Sequence, residues 1–443
     1  MTAEGGGKMR EKRRKCRFSR KNALIPETGS NILQSARSEE LAAATLKKEE
    51  KMPVPSIPKQ EYFDRIAKFQ ANMKKAGLDA CLVHGTESDF ANVRYLTEYW
   101  PTFEQAGVFV PASGDAILLI GPESLKYAYG RSVFEPKNVM QMLNYRESAE
   151  PDYPGIPLAT FADVAKAAMG KKKLKKLGLV GTAVMTLPTL NAVASQLPGV
   201  EIVPADDVFR PLRWIKSENE LACHRKAFKV AEKAVQAMLN EMKPGMTEFQ
   251  AIGIAQREIY ANGGEYEGHS LYCFGGDRTS NGISRPTSAK LKKNEIIQLN
   301  IGARVSGYSS SIGLPVWFGK LPKEQMALVE FGLRAHDYTF ELMKAGADAA
   351  SIAKKYTQWG IDQGWGDYML YGPVHGLGIQ ETESPWIETT SKYKLKENMT
   401  YQIDTFFTGN GYGLRWERGV IINRKGCEIL SNKFMSLDCC KLD

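Results

Sequence analysis

Asp404 and Glu417 are the acids whose placement most suggests chemistry. Alternation along an extended strand puts Gln402, Asp404 and Phe406 on one face, and Arg415, Glu417 and Gly419 on one face of the neighbouring strand. Two buried carboxylates in one pocket repel, so one is expected to keep its proton near neutral pH and to act as a general acid or base. Such a pocket suits a cationic ligand. Aromatic side chains nearby (Tyr308, Trp317, Trp386, Tyr401, Phe406, Phe407, Tyr412 and Trp416) are either walls for a guanidinium or quaternary ammonium group or ordinary core. Arg415 either pairs with Glu417, which makes both structural, or faces a ligand.

Three other positions carry titratable side chains in suggestive surroundings. His375 lies in His375-Gly376-Leu377-Gly378, where the backbone packs closely and the ring can face a cavity. His269, in Glu267-Gly268-His269-Ser270, is a candidate base. Cys273 lies four residues beyond it, a spacing that on a strand allows a thiolate–imidazole pair. The Gly275-Gly276-Asp277 turn is expected to border the pocket, without the helix context of a phosphate cradle.

The elements that must position these residues fall into two halves. Ile66, Phe69, Met73 and Ala76 recur at helical spacing, Gly77 stops that helix, and Ala80–Val83 reads as a buried strand. Strands are expected at Val108–Val110, Ala116–Ile120, Leu177–Val180 and Val200–Val203, with helices between them, so residues 58–213 read as an α/β domain. Ser217 and Glu220 form a capping box, Thr247 and Gln250 a second one, and long amphipathic helices then alternate with strands at Glu295–Gly302, Leu314–Phe318, Met399–Phe407 and Gly419–Asn423. Residues 214–443 therefore read as α+β, with helices over a curved, mostly antiparallel sheet.

Three blocks, in order, resemble the creatinase/prolidase/aminopeptidase P family. Asn300-Ile301-Gly302-Ala303 with Gly307-Tyr308 and Ser310-Ser311 is similar to its DxGA…GYxSD segment. His375-Gly376-Leu377-Gly378 with Glu383 and Pro385 is similar to HGxG…HExP, and Met399–Asp404 with Gly413–Glu417 to GMxxxxEP…GxRxED. Tyr95-Leu96-Thr97 resembles the YLTG segment of the family's first domain, with Glu98 where glycine is usual. The resemblance spans about Tyr62 to Asn432 and implies a creatinase-like α/β N-terminal domain, an α+β pita-bread C-terminal domain and a homodimer.

In metal-dependent relatives two aspartates, one histidine and two glutamates surround two divalent cations. The matching positions here are Asn300, Ser311, His375, Asp404 and Glu417, so four carboxylates have become two. That tally does not offset the charge of two bridged ions. At most one divalent ion is expected, on His375, Asp404 and Glu417, and no other cofactor. Creatinase, the family's metal-free hydrolase, also has asparagine at the Asn300 position, although Ser284 and Gly313 stand where its proton-moving histidine and glutamate are expected. The resemblance and the residue reading together point to His375, Glu417, Asp404 and Glu383 for catalysis, with His269, upstream of the family's expected histidine, as a replacement base, and to Asn300, Arg415, Tyr308 and Ser311 for substrate. Three functions stay open: a creatinase-like hydrolase or lyase cutting a C–N or similar bond of a polar, cationic small molecule; a metal-dependent Xaa-Pro peptidase; and an inactive binding module.

Composition limits the alternatives. With 443 residues and 43% apolar side chains the chain is long enough for two domains. Net charge is +9, yet nine Lys/Arg against Glu4 and Glu11 in the first 21 residues give +7 there, leaving +2 for the rest. A basic, disordered tail over residues 1–57, with one short helix near Ser38–Lys48, is expected rather than a nucleic-acid-binding face. No apolar run of about 7–15 residues follows the basic tail, none reaches about 18, and seven scattered cysteines lack CxxC spacing. A cytoplasmic protein without membrane or nucleic-acid partners is the expectation.

Overall fold

The computed structural model describes residues 54–443. The basic segment and the helix expected near Ser38–Lys48 lie outside the described residues.

The N-terminal half begins with α1 (Lys59–Lys75), whose buried stripe is Tyr62, Ile66, Phe69 and Met73. Gly77, at φ +68°, turns the chain into β1 (Ala80–Gly85), a left-handed conformation that favours glycine. There follow α2 (Ala91–Thr97), β2 (Ala106–Pro111), β3 (Ile117–Ile120), α3 (Leu125–Arg131), β4 (Val139–Gln141), α4 (Phe161–Met169), β5 (Lys176–Val180), α5 (Leu187–Gln196), β6 (Glu201–Pro204) and α6 (Asp206–Phe209). The strands form one six-stranded sheet ordered β4-β3-β2-β1-β5-β6. β1, β5 and β6 run parallel, whereas β1/β2 and β2/β3 are antiparallel. β1, β2 and β3 are buried along their whole length, on both faces, which explains why they read as continuous apolar runs.

Ser217 caps α7 (Glu218–Glu241) and Glu220 returns the bond to its backbone; Thr247 and Gln250 do the same for α8 (Glu248–Ala261). β7 (Tyr266–Glu267), β8 (Tyr272–Gly275), β9 (Ile297–Ile301), β10 (Ala303–Val305), β11 (Tyr308–Ser309) and β12 (Ile312–Phe318) precede α9 (Lys323–Leu342) and α10 (Ala349–Asp362). β13 (Val374–Gly376), β14 (Glu383–Ile387), β15 (Thr400–Gly409), β16 (Tyr412–Ile422), β17 (Cys427–Ile429) and β18 (Lys441–Leu442) complete the chain. The main sheet runs β14-β13-β15-β16-β12-β9-β8, every neighbouring pair antiparallel, with β17 on β16 and β18 parallel to β12. Helices α7 to α10 pack apolar faces on it, and Trp416, fully buried, donates its indole N–H to the Val329 carbonyl of α9. β16 begins seven residues before the expected Gly419, because Tyr412–Arg418 pair with β15 along their whole length.

The two halves pack on one another. Tyr308 and Cys223 join the apolar cluster of the first sheet, and Arg65 from α1 meets both Tyr308 and Glu220. Among the described residues no helix is long and apolar enough to cross a membrane.

Candidate active site

Register builds the site. Asp404 on β15 stands opposite Glu417 on β16, Gly313 on β12 stands opposite both Glu417 and Asn300, and His375 on β13 stands opposite Gln402. Because alternate residues share a face, Asn300, Asp404, Arg415, Glu417 and His375 converge on a cavity of about 690 Å³. A Cβ on Gly313 would lie 2.6 Å from the Glu417 Cβ, so only glycine lets β12 approach the acid.

His375 Nδ1 lies 3.0 Å from the Gly376 carbonyl and donates to it. Its Nε2 faces three carboxylate oxygens, Glu381 Oε1 at 3.8 Å, Asp404 Oδ2 at 3.9 Å and Glu417 Oε1 at 3.9 Å. Glu381 corrects the expected tally of two acids. It lies in the irregular segment between β13 and β14, is hydrogen-bonded to Glu417, and keeps Oε1 buried without a hydrogen-bond partner. Burial, then the charges of Glu381 and Asp404, pushes Glu417 up to about 8, and burial raises Glu381 as well.

Arg415 does not pair with Glu417. Its Nε lies 2.7 Å from Asp404 Oδ1, an ion pair without the alignment of a hydrogen bond, and Nη2 donates to the Tyr371 hydroxyl at 2.6 Å and the Gly282 carbonyl at 2.9 Å. Tyr371 donates in turn to Asp404 Oδ2 at 2.8 Å. Asp404 is thus held by Arg415 and Tyr371. The compact donor group is His375, Glu381 and Glu417, whose ligand atoms lie within 4.8 Å of one another, rather than the expected set with Asp404.

Asn300 Nδ2 donates a short hydrogen bond to Glu417 Oε2, and its carbonyl oxygen accepts from Gln298 Nε2 at 3.0 Å. Ser311 Oγ lies 3.0 Å from both Glu417 Oε2 and His269 Nε2. Its single hydrogen serves one of them. His269 Nδ1 is 2.7 Å from the Ser270 carbonyl, and burial holds this imidazole below its usual pKa, so Nε2 is an acceptor near neutral pH. Ser311 Oγ donates to Glu417 Oε2, with His269 Nε2 within hydrogen-bond distance of the same hydroxyl.

Several expectations are corrected. Glu383 is not in the wall of this cavity; it is clamped by Lys216 at 3.1 Å and by Arg213. Burial alone would raise it, but those two cations hold it below the usual carboxylate range, which leaves no proton to transfer. Tyr308 is buried between halves, donating to Glu220 Oε1 at 2.7 Å. Cys273 is fully buried, and burial raises its thiol to about 12, which rules out a thiolate at neutral pH. Gly275, Gly276 and Asp277 do not line the cavity; Gly282 and Ile283 do. Of the suggested aromatic walls Trp386 lines the cavity, joined by Tyr272 and Tyr371, while Phe406 stacks beneath Tyr371.

Residues 222–424 match the model of metallopeptidase family M24, and residues 65–215 match the creatinase/prolidase N-terminal domain. The chain belongs to the creatinase/prolidase/aminopeptidase P family. An uncharacterized peptidase of Staphylococcus haemolyticus is 28% identical over 228 residues, 51% of this chain and 65% of that protein, so the chain spans about two thirds of that relative. The Xaa-Pro dipeptidase of Pyrococcus horikoshii is 22% identical over 369 residues, 83% of this chain and 97% of that one. The solved Xaa-Pro dipeptidase of Bacillus anthracis shares the two-domain fold, with a TM-score of 0.73 at 19% identity over 86% of this chain and all of that one.

Family M24 is a metallopeptidase family by description, and it places two ion positions against this donor set. The second position does not fit: Asn300 turns its amide N–H toward Glu417 and spends its oxygen on Gln298, and Ser311 is a link in the Glu417–His269 chain. One position fits. His375 Nε2 and the unpartnered Oε1 of Glu381 converge with a carboxyl oxygen of Glu417, a donor set that suits one divalent transition ion once Glu417 gives up its proton.

Proposed function

We propose that this chain hydrolyses the C–N bond of a small, peptide-like substrate carrying a cationic amine, as an Xaa-Pro-type peptidase. The observation that carries the reading is Glu381: a third carboxylate opposite Glu417 supplies both a proton acceptor and a proton donor. Similarity to Xaa-Pro dipeptidases favours a peptide over a creatinase-like guanidino substrate.

Water adds to the scissile carbonyl carbon as one of its protons passes to Glu381 Oε1. The C–N bond then breaks, the proton held by Glu417 goes to the departing nitrogen, and a carboxylic acid and an amine remain. Asp404, fixed by Arg415 and Tyr371, contributes negative potential for the substrate ammonium group. Tyr272, Tyr371, Trp386, Leu370 and Ile283 supply the apolar wall for a side chain or a prolyl ring. One divalent ion would be held by His375, Glu381 and Glu417 in place of the proton that Glu417 otherwise keeps, and would supply Lewis-acid polarisation of the carbonyl.

The test is turnover of a panel with Ala-Pro, Ala-Pro-Ala-Ala, creatine and betaine, in chelator and in added Mn²⁺. Release of alanine from the proline peptides, lost in Glu417→Gln, is expected. Turnover of creatine in place of the peptides would overturn the reading in favour of a creatinase-like hydrolase. No turnover of any compound in either medium would favour a binding module.

A further inference from the structure

A second cavity, of about 1160 Å³, lies between the two halves of the chain and shares His269, Ser270, Glu381 and Thr382 with the first. Its wall contains Arg304 of β10. That guanidinium is 4% exposed and lies over the rings of Phe90 and Trp100, with its Cζ 4.8 and 5.1 Å from the centroids. Nη2 donates to the Gly268 carbonyl at 3.1 Å and Nε to Ser309 Oγ at 3.4 Å. Among the described residues Nη1 has no hydrogen-bond partner, and no carboxylate forms an ion pair with Arg304. Arg94 stacks on the same rings, but Glu265 neutralises it at 2.8 Å.

The carboxylates in the cavity wall are engaged elsewhere. Glu267 accepts from Gln256, Glu87 from the Phe103 N–H, and Glu104 from Ser124 and the Glu123 N–H. Glu381 belongs to the acid cluster. Glu265 and Glu267 act on Arg304 only from beyond ion-pair distance, and burial and the charge of Arg94 still lower its pKa; a buried cation with no carboxylate in contact is costly to hold, and an anion brought by a ligand offsets that cost. Exposed Arg285, on the same wall, likewise makes no ion pair among the described residues.

We propose that this cleft is a carboxylate-binding subsite: Arg304, assisted by Arg285, holds the C-terminal carboxylate of a peptide substrate longer than two residues. The proposal rests on the peptide-hydrolase reading above, with the substrate ammonium at the acid cluster and its opposite charge at Arg304. Gly268, which holds Arg304, directly precedes His269, whose ring reaches the Glu417 network through Ser311, so one strand end joins the two subsites.

The test compares Ala-Pro-Ala-Ala as the free acid and as its C-terminal amide, by calorimetric binding to the full chain and by kcat/KM. The acid is expected to bind at least about tenfold more tightly, the loss typical of one charge-assisted hydrogen bond. Arg285→Ala, at an exposed position, and Arg304→Gln should each narrow that gap. The acid–amide contrast in the unaltered protein needs no variant to fold. Equal binding of acid and amide, or binding of neither, overturns the subsite. Hydrolysis with equal kcat/KM for both overturns the subsite and leaves the peptidase reading standing. A tenfold binding preference without hydrolysis supports the subsite and removes the peptidase reading.

Discussion

At the scale of residues, the chemistry depends on Glu417 keeping a proton while Glu381 accepts one. Glu417→Gln and Glu381→Gln are each expected to lower kcat/KM by about 10²–10⁴, the usual contribution of a positioned acid or base, with near-native melting. Steady-state turnover of Ala-Pro checks this, and an unimpaired Glu381→Gln would remove that residue from the mechanism. Asp404→Asn should act differently: it strands the buried Arg415 guanidinium and costs about 3–5 kcal/mol of stability, read as a shift in the urea midpoint. Asp404, Glu417 and His375 were legible because strand alternation and glycine-flanked spacing say where side chains point. Glu381 was not. It sits in an irregular stretch where no period assigns a face, and the motif directed attention to Glu383, two residues on. Tyr371 was hidden for the same reason, since a loop residue is placed by the strands beside it and not by its own sequence neighbours.

At the scale of elements, β12 must pass close to β9 and β16 for Asn300 and Glu417 to touch. Gly313→Ala should therefore push β12 away, because the new methyl would meet the Glu417 Cβ at 2.6 Å and the Asn300 amide at 2.7 Å. Loss of activity exceeding the loss of stability is expected, measured by paired kinetic and unfolding assays. Ser217→Ala removes the hydroxyl that accepts from the Glu220 N–H and should cost about 1 kcal/mol without changing kcat. Both capping boxes and the long apolar strands were readable from local pattern, since hydroxyl–carboxylate spacing and alternation are local physics. β13 and β14 were not, being short and interrupted by glycine and proline, so that pairing with β15 makes them strands.

For the whole molecule, His224 on α7, beside the Cys223 and Tyr308 that join the first half's apolar cluster, is fully buried with Nδ1 2.9 Å from the Ser309 carbonyl. Burial, then the positive charge of Lys216, depresses its pKa to about 3; Ser309 and Glu383 oppose this, and Arg225 adds to it. The unfolded histidine binds a proton below about pH 6.5, whereas the folded one stays neutral until about pH 3. Stability from this group is therefore complete above pH 6.5 and declines as pH falls, by up to about 1.4 kcal/mol per pH unit. Urea unfolding at pH 7.5 and pH 5 should show a steeper loss for the wild type than for His224→Gln, and parallel losses would contradict this placement of the proton. The two-domain architecture was legible from the order of motifs and the alternation of elements. The cleft between the halves was not, because Arg304 and Trp100 come from distant segments and only packing brings them together.

The central claim is that this pocket holds three carboxylates around one histidine and a place for one ion, not two. Calorimetric titration of metal-stripped protein with Mn²⁺ tests it most directly. One site per chain, weakened at least about tenfold by Glu381→Gln, is the predicted result. A stoichiometry near two, or one site untouched by that substitution, would contradict it.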